Sequence, residues 1–303
     1  MNLSPETFGQ LAALSTALCW GFNAMLFTDA GKRVGSDTVT HVRLWLALIM
    51  LCLLHFILFG TLFPWNAEPH RFLWLGLSGA VGFVMGDLFL FEAFVLIGTS
   101  RALVVKTFAP ALAVLLGYLF LNESLAPLQL MAIGITLSGI LLVVVSRNSN
   151  TGSPFSEKKV LLKGVFYAAL GAVGQAVGVI FSKQGLDNNF SPISATLIRV
   201  SIATICMFAV AWGQGRVRHH VASLRDGRGM FGIASGTLLG PVIGVSLSLY
   251  ALQKTSVGVA STLMEMAPIV VLVVSSLFFG QRPGWREWAG TFLAVAGAAA
   301  LFL

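Results

Sequence analysis

The feature that most constrains this 303-residue chain is the recurrence of apolar runs about twenty residues long, separated by short polar punctuation. A helix needs roughly 20 mostly apolar residues to cross the hydrocarbon core of a bilayer. Backbone that spans lipid must also satisfy its own hydrogen bonds, which favours helices. The runs fall at residues 8–30, 38–60, 71–96, 99–121, 126–146, 161–183, 191–213, 229–252, 256–279 and 285–303. They predict an all-α integral membrane protein of ten transmembrane helices. Composition agrees, with only 10% charged residues against about a quarter in soluble domains. The net charge of +7 is scattered over short loops with no recognition motif, so nucleic acid is not an expected partner. Cys19, Cys52 and Cys206 lie inside apolar runs, without metal-site spacing or an expected disulfide. The first ten residues carry no Lys or Arg, so the first run is expected to stay as a helix rather than be cleaved as a signal peptide.

The polar stretch Arg147 to Lys159 reads as a linker and divides the chain into 1–147, a linker at 148–160, and 161–303. The two halves look alike. A gapless shift of 158 positions aligns Gly82 with Gly240, Gly86 with Gly244, Ala109 with Ala267, Pro110 with Pro268 and Gly139 with Gly297. At slightly smaller shifts Arg43 meets Arg199 and Phe27 meets Phe181. Five crossings per half are odd, so the second copy must enter the membrane in the opposite sense. Such inverted repeats can form two faces that alternately open a central site. The expectation is therefore a transporter. Loops after odd-numbered segments hold thirteen Lys or Arg against three after even-numbered ones, which places the odd loops in the cytoplasm and both termini outside.

Three stretches carry a resemblance. They are ALCWGFNAMLF (17–27) with Arg43 in the second segment, FEAFVLIGTS through GILLV (91–143), and LYALQKTSVG through AGAAAL (249–301). Each half resembles an EamA domain, and the whole resembles a ten-helix member of the drug/metabolite transporter superfamily. The likeness covers nearly the whole chain, although Gln281 stands where the first half has the acidic Glu123. It implies a central cavity lined by segments 1, 3, 4, 6, 8 and 9, with segments 5 and 10 peripheral. It also implies gradient-driven or exchange transport of small metabolites or drugs. The expected setting is the inner membrane, and the expected state a monomer or weak dimer. The motifs name neither a substrate nor a coupling ion, for which the proton is a candidate.

Ionisable groups at membrane depth are costly, and each is a functional hypothesis. Lys106 sits roughly 10 Å into the fourth segment, four residues before Pro110, and Glu265 roughly 13 Å into the ninth, three before Pro268. Thr107 is the repeat equivalent of Glu265. A cation and a carboxylate near midplane can hold an amphoteric solute such as an amino acid, and each proline frees a backbone carbonyl one turn earlier. The bland alternative is that Lys106 snorkels and Glu265 satisfies a neighbouring helix. Asp87 and Arg43 are expected to form a structural or gating pair; left unpaired, Asp87 is a proton-coupling candidate. Arg199 keeps the position of Arg43, but Val245 replaces Asp87, so any partner there differs. Trp20, Asn23 and Gln175 fall near matching depths and are candidate cavity residues, while Glu92 reads as interfacial. The Gly-x-x-x-Gly pairs 82/86, 174/178 and 240/244 suit close helix approach.

Among other classes, Gly76-Leu77-Ser78-Gly79 matches a short intramembrane-protease pattern, but none of the five histidines lies in a late segment where a base is needed. No His-Glu-x-x-His motif and no Walker-type phosphate loop is present, so neither a metal, a cofactor nor ATP hydrolysis is expected. Export of amino acids or similar metabolites is the first expectation, broad-specificity export of organic cations the second, and a channel the third.

Overall fold

The computed structural model describes residues 4–148, 158–278, 280 and 282–303. Nearly all of them are helical, in the order α1 (Pro5–Val34), α2 (Ser36–Phe59), α3 (Pro69–Ser78), a π-helical turn (Gly79–Met85), α4 (Gly86–Lys106), α5 (Ala109–Leu121) and α6 (Pro127–Asn148). Then come α7 (Lys158–Gly185), α8 (Pro192–Gly213), α9 (Val217–Ser223), α10 (Gly227–Thr237), a second π-helical turn (Leu238–Gly244), α11 (Val245–Lys254), α12 (Val257–Met264), α13 (Ala267–Phe278) and α14 (Trp285–Ala300). Local chemistry explains many of the starts. Ser4, Ser191 and Ser256 cap α1, α8 and α12, with a proline in the first turn of α1 and α8. A single residue, Gly35 at φ 87°, separates α1 from α2, a conformation that a side chain would strain.

Among the described residues, nine helices are long and apolar enough to cross a membrane. The chain is an all-α membrane protein. The tenth expected span corresponds to α14, whose 16 residues reach only about 24 Å. The third and fourth spans are Pro69–Ile97 and Arg101–Leu121, although the helical backbone runs on from Gly86 to Lys106. A straight helix would put roughly 28 Å between Asp87 and Lys106, yet both line one cavity. The chain therefore turns back between these two spans. Residues 149–157 of the expected linker, and Gln281, lie outside the described residues. The short helix α9 forms in the polar stretch between the seventh and eighth apolar segments.

The outer surface suits lipid. Ile57, Val95 and Phe278 are 77%, 81% and 77% exposed, values that would drive association in water. Inside, small residues let helices meet backbone to backbone. A methyl group on Gly178 would lie 2.7 Å from the Gly82 Cα, and one on Gly174 3.2 Å from that of Gly86. Between α6 and α14, Gly139 abuts the Gly290 carbonyl (2.6 Å from the site of a Cβ), while Gly297 abuts the Ala132 carbonyl (2.9 Å). The three cysteines are free thiols.

Charged groups cap helices at one end of the bundle. Arg71 is buried and donates to the carbonyls of Gly185 (3.3 Å) and Asp187 (2.8 Å) at the end of α7. It also pairs with Glu68 and lies over the Phe190 ring. The Arg71 hydrogen bond holds the Glu68 carboxyl below its ordinary range. Glu123 accepts from the Val257 N–H at the start of α12 (2.7 Å) and bridges to Lys183 (3.4 Å). The acidic residue after the fourth segment thus serves as a helix cap from another part of the chain.

Candidate functional site

Two of the spanning helices are interrupted at equivalent places. α4 gives way to α5 through a turn at Thr107–Phe108, and α12 to α13 through a turn at Glu265–Met266. Pro110 and Pro268 lie in the first turns of α5 and α13. A proline cannot donate to the carbonyl four residues earlier, which is that of Lys106 in one helix and Met264 in the other. Each break therefore places a charged side chain and a released carbonyl side by side. The π-helical turns that precede α4 and α11 make similar local departures from regular pitch.

These departures surround a cavity of about 260 Å³. Its walls include Trp20, Asn23, Arg43, Asp87, Lys106, Pro110, Gln175, Arg199 and Glu265. Most of the residues singled out from sequence are thus brought together. Thr107 is not: it is buried outside the lining, and its hydroxyl donates to the Leu103 carbonyl (2.9 Å). Pro268 also lies outside the lining, one turn behind Glu265. The lining draws on α2 and α8 through Arg43 and Arg199, which adds the second and seventh segments to those the resemblance implied.

The polar groups are paired across helices. Lys106 Nζ donates to both Glu265 oxygens, at 2.7 and 3.1 Å, with the two side chains 18% and 13% exposed. Arg43 forms an ion pair with Asp87 and sits 5.9 Å from the Phe27 ring centroid. The structural or gating pair expected from sequence is thus formed. Glycine makes room for the amphipathic wall groups. The Asn23 amide lies against Gly240, where a Cβ would come within 1.8 Å of its nitrogen, and the Trp20 ring lies against Gly244. Ser78, the serine of the protease-like pattern, is buried and bonds to the Gly178 carbonyl and to the Ser182 hydroxyl (2.7 Å). Glu92 is exposed.

A second polar cluster, which the sequence reading did not raise, lies where the start of α2 meets α9. Asp37, His41 and His220 offer ligand atoms within 4.8 Å of one another. The two imidazoles stack at 4.5 Å, and Arg216 pairs with Asp37 at 3.2 Å. Burial, followed by the neighbouring His41, lowers the pKa of His220 below its ordinary 6.5; Asp37 opposes this, while His219 and Arg216 act with it. Thr38 and Trp45 complete its surroundings. A histidine kept neutral by the fold binds fewer protons than it does unfolded, so stability falls as pH drops below 6.5. The melting temperature in detergent is expected to decline between pH 7.5 and 5.5, and His220→Phe to flatten that decline. An unchanged slope in the variant would show that other groups set it.

The comparisons with known proteins bear on this cavity-bearing bundle. The family model for the EamA-like transporter family matches residues 7–145 and again 162–303. The chain belongs to the EamA-like transporter family. It is 26% identical over 223 residues to an uncharacterized transporter, YxxF, of Bacillus subtilis (strain 168), covering 73% of this chain and 67% of that protein. One solved crystal structure shares the fold with a TM-score of 0.75 at 18% identity, over 98% of this chain and 97% of that one. The chain is accordingly a multi-pass membrane transporter of the drug/metabolite transporter type.

Proposed function

We propose that this EamA-family protein moves a small amphoteric metabolite, of amino-acid type, outward across the cell (inner) membrane by alternating access. The observation that carries this reading is the Lys106–Glu265 pair, held at two interrupted helices on the wall of one cavity. Opening that pair exposes a cation to a solute's carboxylate and a carboxylate to its ammonium group. The cavity, at about 260 Å³, lies below the range of about 300–1,000 Å³ common for drug-sized ligands, which favours a small metabolite. An exporter of organic cations needs a carboxylate free to face its solute. Both cavity carboxylates are instead occupied, Asp87 by Arg43 and Glu265 by Lys106.

Alternating access rests on the duplicated halves, and several contacts support an inverted relation between them. Gly139 meets Gly290 while Gly297 meets Ala132; adding 158 to one member of each pair gives the other pair. Trp20 against Gly244 and Gly174 against Gly86 form a second couple, related by the shift of 154 that joins Phe27 to Phe181 and the shift of 158 that joins Gly86 to Gly244. Loop contacts also sort by parity. Arg33 lies 3.8 Å from Asp226, and Arg216 pairs with Asp37, all beside odd-numbered loops. Arg71, Lys183 and Glu123 gather at the other end. With the basic excess on the odd loops facing the cytoplasm, both termini face outward. A C-terminal alkaline phosphatase fusion is expected to be active and a C-terminal green fluorescent protein dark; the reverse pattern would invert the orientation. For export, cells overproducing the protein are expected to accumulate one or a few amino acids in the medium, and cells overproducing Glu265→Gln not to. Equal media from both strains would remove the export reading.

A further inference from the structure

We propose that Arg199 is the carboxylate subsite of this cavity, where the anionic end of the solute takes the place of a counter-ion that the second half of the chain lacks. This inference rests on reading the cavity as the transport site. The side chain of Arg199 is 8% exposed and lines the cavity. Its Nε is buried without a hydrogen-bond partner, and its guanidinium lies 5.0 Å over the Phe83 ring. Among the described residues, no carboxylate comes within ion-pair distance of it.

The duplication shows what is missing. Arg43 and Arg199 stand 156 residues apart, and Asp87 and Val245 stand 158 apart. In the first half the arginine is neutralised by Asp87; in the second, the corresponding wall position is Val245, which cannot pair. A guanidinium withdrawn from water without a counter-charge is costly, and its planar fork matches a carboxylate. Counting the lining, Arg43, Lys106 and Arg199 face only Asp87 and Glu265, which leaves one positive charge in excess. A solute carboxylate can dock on Arg199 before either existing pair opens. Its ammonium group then opens the Lys106–Glu265 pair by competing with Lys106 for Glu265. A purely cationic solute gains nothing at Arg199 and meets the excess charge.

The test is thermal unfolding of the purified full chain, alone and with three probes at equal concentration. The probes are an equimolar mixture of the standard amino acids, the matching amino alcohols that replace the carboxylate by CH2OH, and sodium phosphate with sodium chloride. Amino acids are expected to stabilise the wild type and amino alcohols not to. In Arg199→Gln the concentration needed rises by about tenfold or more, as for loss of a charged hydrogen bond, and Arg199→Lys retains part of the response. Val245→Asp supplies the absent counter-ion, so it is expected to melt above the wild type without ligand and to lose the amino-acid response. The proposal is overturned if amino alcohols stabilise as well as amino acids. It is also overturned if phosphate or chloride alone reproduces the shift, or if Val245→Asp melts lower than the wild type. Should the wild type carry no solute in liposomes, the transport reading fails by itself, while the melting behaviour of Val245→Asp still decides whether Arg199 lacks a partner.

Discussion

Replacing Lys106 by Met is expected to abolish transport and to lower the melting temperature, whereas the double replacement Lys106→Met with Glu265→Met recovers stability but not transport. The single change leaves Glu265 as an uncompensated carboxylate, 13% exposed, on the cavity wall. Breaking a buried pair in this way costs on the order of 3 kcal/mol, or roughly 5–10 °C for a chain of this size. Removing both partners leaves no orphaned charge, so the two stability losses do not add. Transport does not return, because the double variant lacks the Glu265 carboxylate that the solute's ammonium group must meet and the Lys106 cation that opening the pair would offer its carboxylate. Full transport in Lys106→Met would instead select the organic-cation reading, in which Glu265 alone suffices. Initial uptake rates in proteoliposomes, with melting curves on the same preparations, separate these results.

Gly290→Leu is expected to have the largest effect on folding. The site of its Cβ lies 2.7 Å from the Gly139 carbonyl and 2.9 Å from a Val143 methyl, and backbone cannot step aside as a side-chain tip can. Forcing a leucine there separates α6 from α14 along the length on which they pair, at a cost of about 3 kcal/mol or more. Gly134 provides the control. It is on α6 too, but nothing lies within 4 Å of its Cβ position, so Gly134→Leu should leave the protein unchanged. Fluorescence-detected size exclusion after heating is the measurement. A Gly290→Leu protein as stable as Gly134→Leu would show that α14 does not pack as described.

Much of this was readable from residue order, because lipid imposes so simple a rule. The apolar runs anticipated the nine described spans to within a few residues, the glycine pairs anticipated close approach, and the Arg43–Asp87 contact was expected from depth alone. Depth also selected Lys106 and Glu265, since a charge at midplane demands a reason. Three-dimensional partners were less legible. Thr107 shares the repeat position of Glu265, but a threonine in a helix can satisfy its hydroxyl on the carbonyl four residues back, and here it does so at Leu103. Arg71 looked like an ordinary loop cation, yet it closes the end of α7, 114 residues away. The stacking of His41 on His220 joins residues from different parts of the chain, and no spacing rule connects them. The missing counter-ion of Arg199 was visible as the substitution of Val245 for Asp87, but only the shared cavity gives that substitution a chemical meaning.

If the cavity around Lys106 and Glu265 belongs to a carrier, the protein must support counterflow. Liposomes containing the purified protein are loaded with an unlabelled mixture of amino acids and diluted into a trace of the same mixture in labelled form. A carrier exchanges internal solute for external label, so the wild type should accumulate label transiently above its equilibrium level, and the Lys106→Met, Glu265→Met protein should not. Entry of label that rises to equilibrium without an overshoot, or an overshoot that survives in the double variant, would contradict the account.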